Sequence, residues 1–196
     1  MKFTGLMTAI VTPMQEGRVD EAGLRELVRK QVDAGVGGLI VCGSTGEGAT
    51  LTEAEQVHAV RLAIEAAGGK SPIVAGVGAR STAGAVRQAR AFQAAGASAL
   101  LVVTPAYNKP TQAGLDAHFR AVAAASSLPI CLYNVPSRTG VDLLPPTIKE
   151  LSELPTIVAI KEATADLERA AEIRRLTGPD FGLMSGDDFT SMAFVA

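Results

Sequence analysis

The feature that most constrains this chain is a recurrence of short apolar runs: Leu6–Val11, Gly38–Cys42, Ile73–Val77, Ala99–Val103, Ile130–Tyr133, Ile157–Ile160 and Gly182–Met184. A strand with one wet face alternates apolar and polar residues. A run that is apolar at every position reads instead as a strand covered on both faces, as in a parallel sheet. Stretches of helical period lie between the runs. Leu24, Leu27, Val28 and Val32 mark one helix face after Asp20, a candidate N-cap, and Val57, Val60, Ile64 and Ala67 mark another after Thr52. Thr52 and Glu55 have the spacing of a capping box, in which hydroxyl and carboxylate each satisfy an orphan backbone donor. Val86, Ala89 and Phe92, then Leu115, Phe119 and Val122, continue the pattern. Strand alternating with helix gives an α/β fold, and right-handed crossovers leave two main architectures, a doubly wound sheet or a β/α barrel.

Periodicity alone does not choose between them, but the placement of the polar motifs favours one. Gly43-Ser44-Thr45-Gly46-Glu47, Tyr107-Asn108, Tyr133-Asn134, Lys161-Glu162 and Gly186-Asp187-Asp188 all follow strand-like runs. Chemistry contributed from the ends of many strands favours a barrel, whose site collects at its C-terminal face. The glycine fingerprints of nucleotide-binding doubly wound sheets, GxGxxG after the first strand and GxxxxGK[ST], do not occur. Seven runs in 196 residues fall short of an eight-stranded barrel of about 250 residues, and the sequence stops within the apolar stretch Met192-Ala193-Phe194-Val195-Ala196. The expectation is one α/β domain over residues 1–196, a TIM (β/α)8-type barrel truncated after about seven strands.

Hydrophobic residues at 47% against 19% charged argue against disorder. Eighteen basic residues scattered among 20 acidic ones, with 4% aromatics and no Trp, make nucleic acid a poor partner. No apolar run approaches the ~18–20 residues of a membrane span, and Leu6–Val11 is too short for a signal segment. Cys42 and Cys131 lie in apolar runs without a CxxC spacing, which predicts reduced thiols in a cytoplasmic protein. His58 and His118 fall in separate helical stretches, and no metal site is expected at either.

Lys161 is the most informative residue, because it ends the run Ile157-Val158-Ala159-Ile160 and projects from a strand terminus beside apolar neighbours. Desolvation there disfavours the ammonium and yields an amine able to form a Schiff base with a ketone. The bland alternative is an ion pair with an acid such as Glu162. Tyr133, at another strand end, suits a proton donor and acceptor, or simply packs on the rim. Arg138, in Val135-Pro136-Ser137-Arg138-Thr139, suits two-point binding of a carboxylate, or is a surface arginine. The Gly43–Gly48 loop offers backbone donors and the hydroxyls of Ser44 and Thr45 to a small carboxylate, with Glu47 as a residue that positions the loop or merely leads into the next helix.

Together these segments resemble the dihydrodipicolinate synthase group of pyruvate-dependent class I aldolases, the family that also contains N-acetylneuraminate lyase. The similarity is carried in register by Gly43-Ser44-Thr45-Gly46-Glu47, Tyr107-Asn108-Lys109-Pro110-Thr111-Gln112, Tyr133-Asn134-Val135-Pro136-Ser137-Arg138-Thr139-Gly140, Ile160-Lys161-Glu162-Ala163 and Ser185-Gly186-Asp187-Asp188. The resemblance implies condensation of pyruvate with L-aspartate-4-semialdehyde to 4-hydroxy-tetrahydrodipicolinate, in lysine and diaminopimelate biosynthesis. It implies an imine between Lys161 and pyruvate, with no other cofactor. It gives Tyr133 the role of proton shuttle, linked through Ser44 to a Tyr107 that crosses the dimer interface of a dimer of dimers. Thr45, the loop backbone and Gly186 would hold pyruvate, and Arg138 the carboxylate of the semialdehyde. The family usually has threonine where this chain has Ser44; the hydroxyl is retained. Glu53, Gln56, Arg80, Gly84 and Ala106 replace the groups that line a lysine-binding pocket in lysine-inhibited members, which implies weak or absent inhibition by lysine. The family's later strand and C-terminal helices have no counterpart in the sequence. Two other readings stay open: a related aldolase acting on a sugar acid or hydroxy-keto acid, and a truncated non-catalytic homologue.

Overall fold

A computed structural model describes residues 3–195. Strand β1 (Met7–Ala9) is followed by a hairpin of β2 (Met14–Gln15) and β3 (Arg18–Val19), then α1 (Glu21–Asp33), β4 (Gly38–Val41), α2 (Glu53–Ala67), β5 (Ile73–Val77), α3 (Thr82–Ala95) and β6 (Ala99–Val103). The chain continues through α4 (Gln112–Ala125), β7 (Ile130–Asn134), the single turn α5 (Pro136–Thr139), α6 (Pro145–Ser152), β8 (Ile157–Glu162), α7 (Leu167–Thr177), β9 (Gly182–Ser185) and α8 (Ser191–Val195). Seven strands form one parallel sheet in the order β1-β4-β5-β6-β7-β8-β9. All seven expected strands are present. The first is shorter than its apolar run, because Leu6 and Val11 at its ends are exposed. The hairpin was not legible as strand; it turns at Glu16-Gly17, both at positive φ (50° and 75°), as a two-residue type I′ turn requires.

Two apolar clusters decide between barrel and doubly wound sheet. The larger gathers one face of the strands with Leu24, Val28, Val60, Phe92, Leu115, Phe119, Ile148, Leu151 and Ile173 of the helices. The smaller joins Phe3, Ile40, Val74, Ala99, Leu101, Cys131, Tyr133, Val135 and Ala159, and none of its members is helical. A doubly wound sheet carries helices on both faces. Here the helices other than the single turn α5 form one layer in which each touches the next, and the other strand face closes on its own side chains, as in the curled wall of a β/α barrel. Seven parallel strands curled in this way match the expected truncated barrel, with β1 and β9 at the two sheet edges among the described residues.

The helix starts follow the sequence signals. Asp20 accepts the Gly23 amide at 3.0 Å, and the Thr52–Glu55 capping box is closed in both directions. The α2 face is rotated from the expected one: Ala59, Val60 and Ala63 are buried, whereas Val57 and Ile64 are only partly so. Small residues there let the helix lie close to β4 and β5, and the larger side chains flank that line.

One irregularity matters for the site. Ile130 pairs with Ile157, but Cys131 pairs with Ala159, so Val158 is an extra residue in β8. This β-bulge shifts the alternation of every later β8 side chain. Ile160 joins the helix-side cluster, Lys161 turns to the inner face opposite Tyr133, and Glu162 turns outward opposite Asn134.

Candidate active site

Every polar motif lies at the C-terminal end of a strand, and parallel strands bring those ends to one rim. Lys161 is centred there. Its Nζ lies 4.8 Å from the centre of the Tyr133 ring, and Tyr133 sits directly across the β7–β8 ladder. Burial lowers the lysine pKa below its usual range, and the nearby Arg138 cation lowers it further, while Cys131 and Asp188 oppose the shift. Burial pushes the Cys131 thiol up to about 12, so near neutral pH that neighbour is uncharged and offers the ammonium no partner. Among the described residues no ion pair joins Lys161 to Glu162, because successive residues of a strand point to opposite faces of the sheet.

Gly186 packs on the same lysine: a Cβ built there would lie 2.9 Å from Lys161 Cε and 2.8 Å from Ala163 Cβ. Its amide donates to the Glu162 carbonyl at 2.7 Å, tying the turn after β9 to the end of β8. Arg138 stands exposed at the end of α5, whose chain is held by the Arg138 and Thr139 amides bonding Val135 O at 2.9 and 3.1 Å.

Ser44 and Thr45 are exposed on the loop after β4, and their amides meet no acceptor among the described residues. That loop is closed by Gly48 N–H to Gly43 O at 3.1 Å. Gly48 is required there, because any Cβ would overlap the Cys42 carbonyl oxygen. Glu47, at φ 53°, belongs to the same turn, with its side chain exposed. Tyr107 is 86% exposed at φ 76°, its amide held by Thr139 O at 3.1 Å. The structure therefore brings Lys161, Tyr133, Gly186 and Arg138 together. No hydrogen bond links the hydroxyls of Tyr133, Ser44 and Tyr107 among the described residues.

Sequence reasoning missed two buried polar systems. Gln56 Nε2 donates to Gly48 O at 2.6 Å, and Gln88 Nε2 donates to Gln56 Oε1 at 2.8 Å. Gln88 Oε1 in turn accepts the Gly78 and Ala79 amides, so helices α2 and α3 hold the loops after β4 and β5. The second system is Asn134, Glu162, Asp142 and Arg169, behind Lys161. A glutamine on the apolar face of each helix, and an asparagine and a glutamate ending apolar strands, were the available signals. The two histidines are structural: His58 pairs with Glu21 at 2.8 Å, and buried His118 meets Thr82 Oγ1 at 3.0 Å. The two cysteines are free and buried, as expected.

The Dihydrodipicolinate synthetase family profile matches residues 2–196. The chain belongs to this family. A relative from Nitratidesulfovibrio vulgaris named 4-hydroxy-tetrahydrodipicolinate synthase is 46% identical over all of this chain and 68% of its own length. One of the same name from Methylococcus capsulatus is 50% identical over 97% of this chain and 66% of its own. The crystal structure of dihydrodipicolinate synthase from Aquifex aeolicus superposes with a TM-score of 0.96 at 41% identity, covering 98% of this chain and 66% of that one. The chain thus spans about two-thirds of the length of the family members it matches. The family identification agrees with the sequence resemblance and with the barrel wall described above. No helix of the described residues is long and apolar enough to cross a membrane.

Proposed function

We propose that this chain carries the Schiff-base site of a 4-hydroxy-tetrahydrodipicolinate synthase of lysine and diaminopimelate biosynthesis. The observation that carries the reading is Lys161, a desolvated lysine at the strand end, 4.8 Å from the Tyr133 ring centre. Its neutral Nζ attacks C2 of pyruvate, and loss of water from the carbinolamine gives the imine. Removal of a methyl proton then gives an enamine whose carbon attacks the aldehyde of L-aspartate-4-semialdehyde. Tyr133 is placed to move these protons. Thr45, the free Ser44 and Thr45 amides and Gly186 suit the pyruvate carboxylate, and Arg138 that of the semialdehyde. The chemistry resides in the covalent imine and calls for no further cofactor.

The reading includes a homo-oligomer, a dimer of dimers in which Tyr107 crosses to the neighbouring subunit and completes the Tyr133–Ser44 relay. The exposure of Tyr107 and its held, positive-φ backbone support this assignment. Two buried, unpaired thiols fit a reducing cytoplasm.

The test is mass spectrometry of the intact protein after pyruvate and borohydride, with peptide mapping. A reduced pyruvyl adduct confined to Lys161 and lost in Lys161→Ala is the expected result. A folded protein that traps no pyruvate would overturn the imine and favour a non-catalytic homologue; turnover of a sugar acid instead of the semialdehyde would redirect the substrate.

A further inference from the structure

Behind Lys161 and Tyr133, on the outward face of the sheet, lie two polar side chains that the proposed chemistry does not touch. Asn134 is wholly buried and Glu162 is 1% exposed. They face each other across the β7–β8 ladder one residue beyond the Tyr133–Lys161 pair. Asn134 Nδ2 lies 3.1 and 3.3 Å from the two Glu162 oxygens and 2.8 Å from Asp142 Oδ1, and Asn134 Oδ1 accepts the Leu143 amide at 3.0 Å. Glu162 Oε1 also accepts the Thr164 amide at 3.0 Å. Asp142 is held by both terminal nitrogens of Arg169 at 2.9 and 2.7 Å, which anchors the network to α7.

Burial of Glu162 disfavours its charged form, and no cation bonds it directly among the described residues. Two apolar side chains of similar volume would fill this space without that penalty. What apolar groups do not supply is direction. β8 has just been re-phased by the Val158 bulge, so a competing register without the bulge is one residue away. In that register Lys161 turns out toward the helices and Glu162 turns into the lumen. The Glu162 bonds to Asn134, made across the ladder, exist only in the observed register.

We propose that Asn134 and Glu162 are a positioning pair for the imine-forming lysine: their side-chain bonds select the β8 register that holds Lys161 over Tyr133. Asp142 and Arg169 extend the lock to the segment that follows the Arg138 turn. This inference rests on the imine reading above.

The test is borohydride trapping of pyruvate, followed as a rate against pH and normalised to folded protein, with thermal melting alongside. Glu162→Leu is expected to slow trapping by about tenfold or more, since small misplacements of a reacting group are that expensive. It is also expected to shift the pH midpoint, as Lys161 leaves the surroundings that set its present pKa. Glu162→Gln, which keeps an acceptor oxygen for the Asn134 Nδ2 donor, is expected to stay within about threefold of the parent. A Glu162→Leu protein that melts earlier yet traps with the parent's rate and pH midpoint overturns the proposal, because the pair is then only structural. If Glu162→Leu does not fold, Asp142→Asn decides: slowing by about threefold or more supports the lock, and the parent's rate and midpoint overturn it. Absence of any adduct in the parent protein overturns the imine reading and this inference with it, whereas a normal parent with unaffected variants overturns this inference alone.

Discussion

Substituting Gly186→Ala tests the reacting geometry directly. The new Cβ would stand 2.9 Å from Lys161 Cε and 2.8 Å from Ala163 Cβ. Ordinary carbon contacts are about 3.5–4.0 Å, so one or both neighbours must retreat by roughly 0.6 Å or more. The two displacements have different consequences. Lys161 Cε is the far part of a flexible side chain and moves at little expense to stability, but Nζ moves with it. Ala163 Cβ moves only with its backbone, whose amide bonds Asn134 O at 2.9 Å. Overpacking of this kind destabilises by about 1–3 kcal/mol. For a domain of this size that lowers the melting temperature by roughly 2–4 °C per kcal/mol. The loss in imine formation is expected to exceed the loss in stability, reaching about 100-fold for a displacement near 1 Å. The assay is the initial rate of borohydride-trapped adduct, with the melt measured on the same sample. A Gly186→Ala protein that traps at the parent's rate would refute the proposed reacting role of Lys161 beside Gly186.

Three further outcomes follow from the structure. His118 is buried with its pKa held below the ordinary 6.5 by desolvation, so the unfolded chain takes up the proton more readily than the folded one. The stability of the neutral ring is therefore complete above about 6.5 and is lost as pH falls below it toward the folded value; urea midpoints should drop over that interval, and His118→Leu should flatten that part of the curve. Gln56 spends its amide inside the molecule on Gly48 O, and Glu53 pairs with Arg87, so turnover is expected to be unaltered by millimolar lysine; strong inhibition would contradict this. Burial pushes the Cys42 and Cys131 thiols up to about 12, so alkylation at mildly alkaline pH should be slow until denaturant is added, and rapid labelling of the folded protein would refute their enclosure.

The strands, the helix starts and the polar residues that end the strands were legible in the sequence because each is a local property. A run such as Ala99-Leu100-Leu101-Val102-Val103 carries its own evidence of burial on both faces, and Thr52 with Glu55 can form a capping box whatever surrounds them. The lysine ending Ile157-Val158-Ala159-Ile160 and the tyrosine ending Ile130-Cys131-Leu132 were visible for the same reason. Orientation was not. Strict alternation along β8 from Ile157 directs Lys161 outward, and only the extra residue Val158, seen in the pairing of β8 with β7, turns it to face Tyr133. The buried partners were equally hidden: Asn134 and Glu162 are 28 residues apart, and Gln56 and Gln88 are 32 apart, so their bonds appear only once the sheet is assembled. Barrel rather than doubly wound sheet was likewise settled by which strand face the helices leave uncovered. Sequence determines what each segment is, because burial pattern and capping act within a turn or a strand; tertiary structure decides which way each side chain points, because register is set between strands.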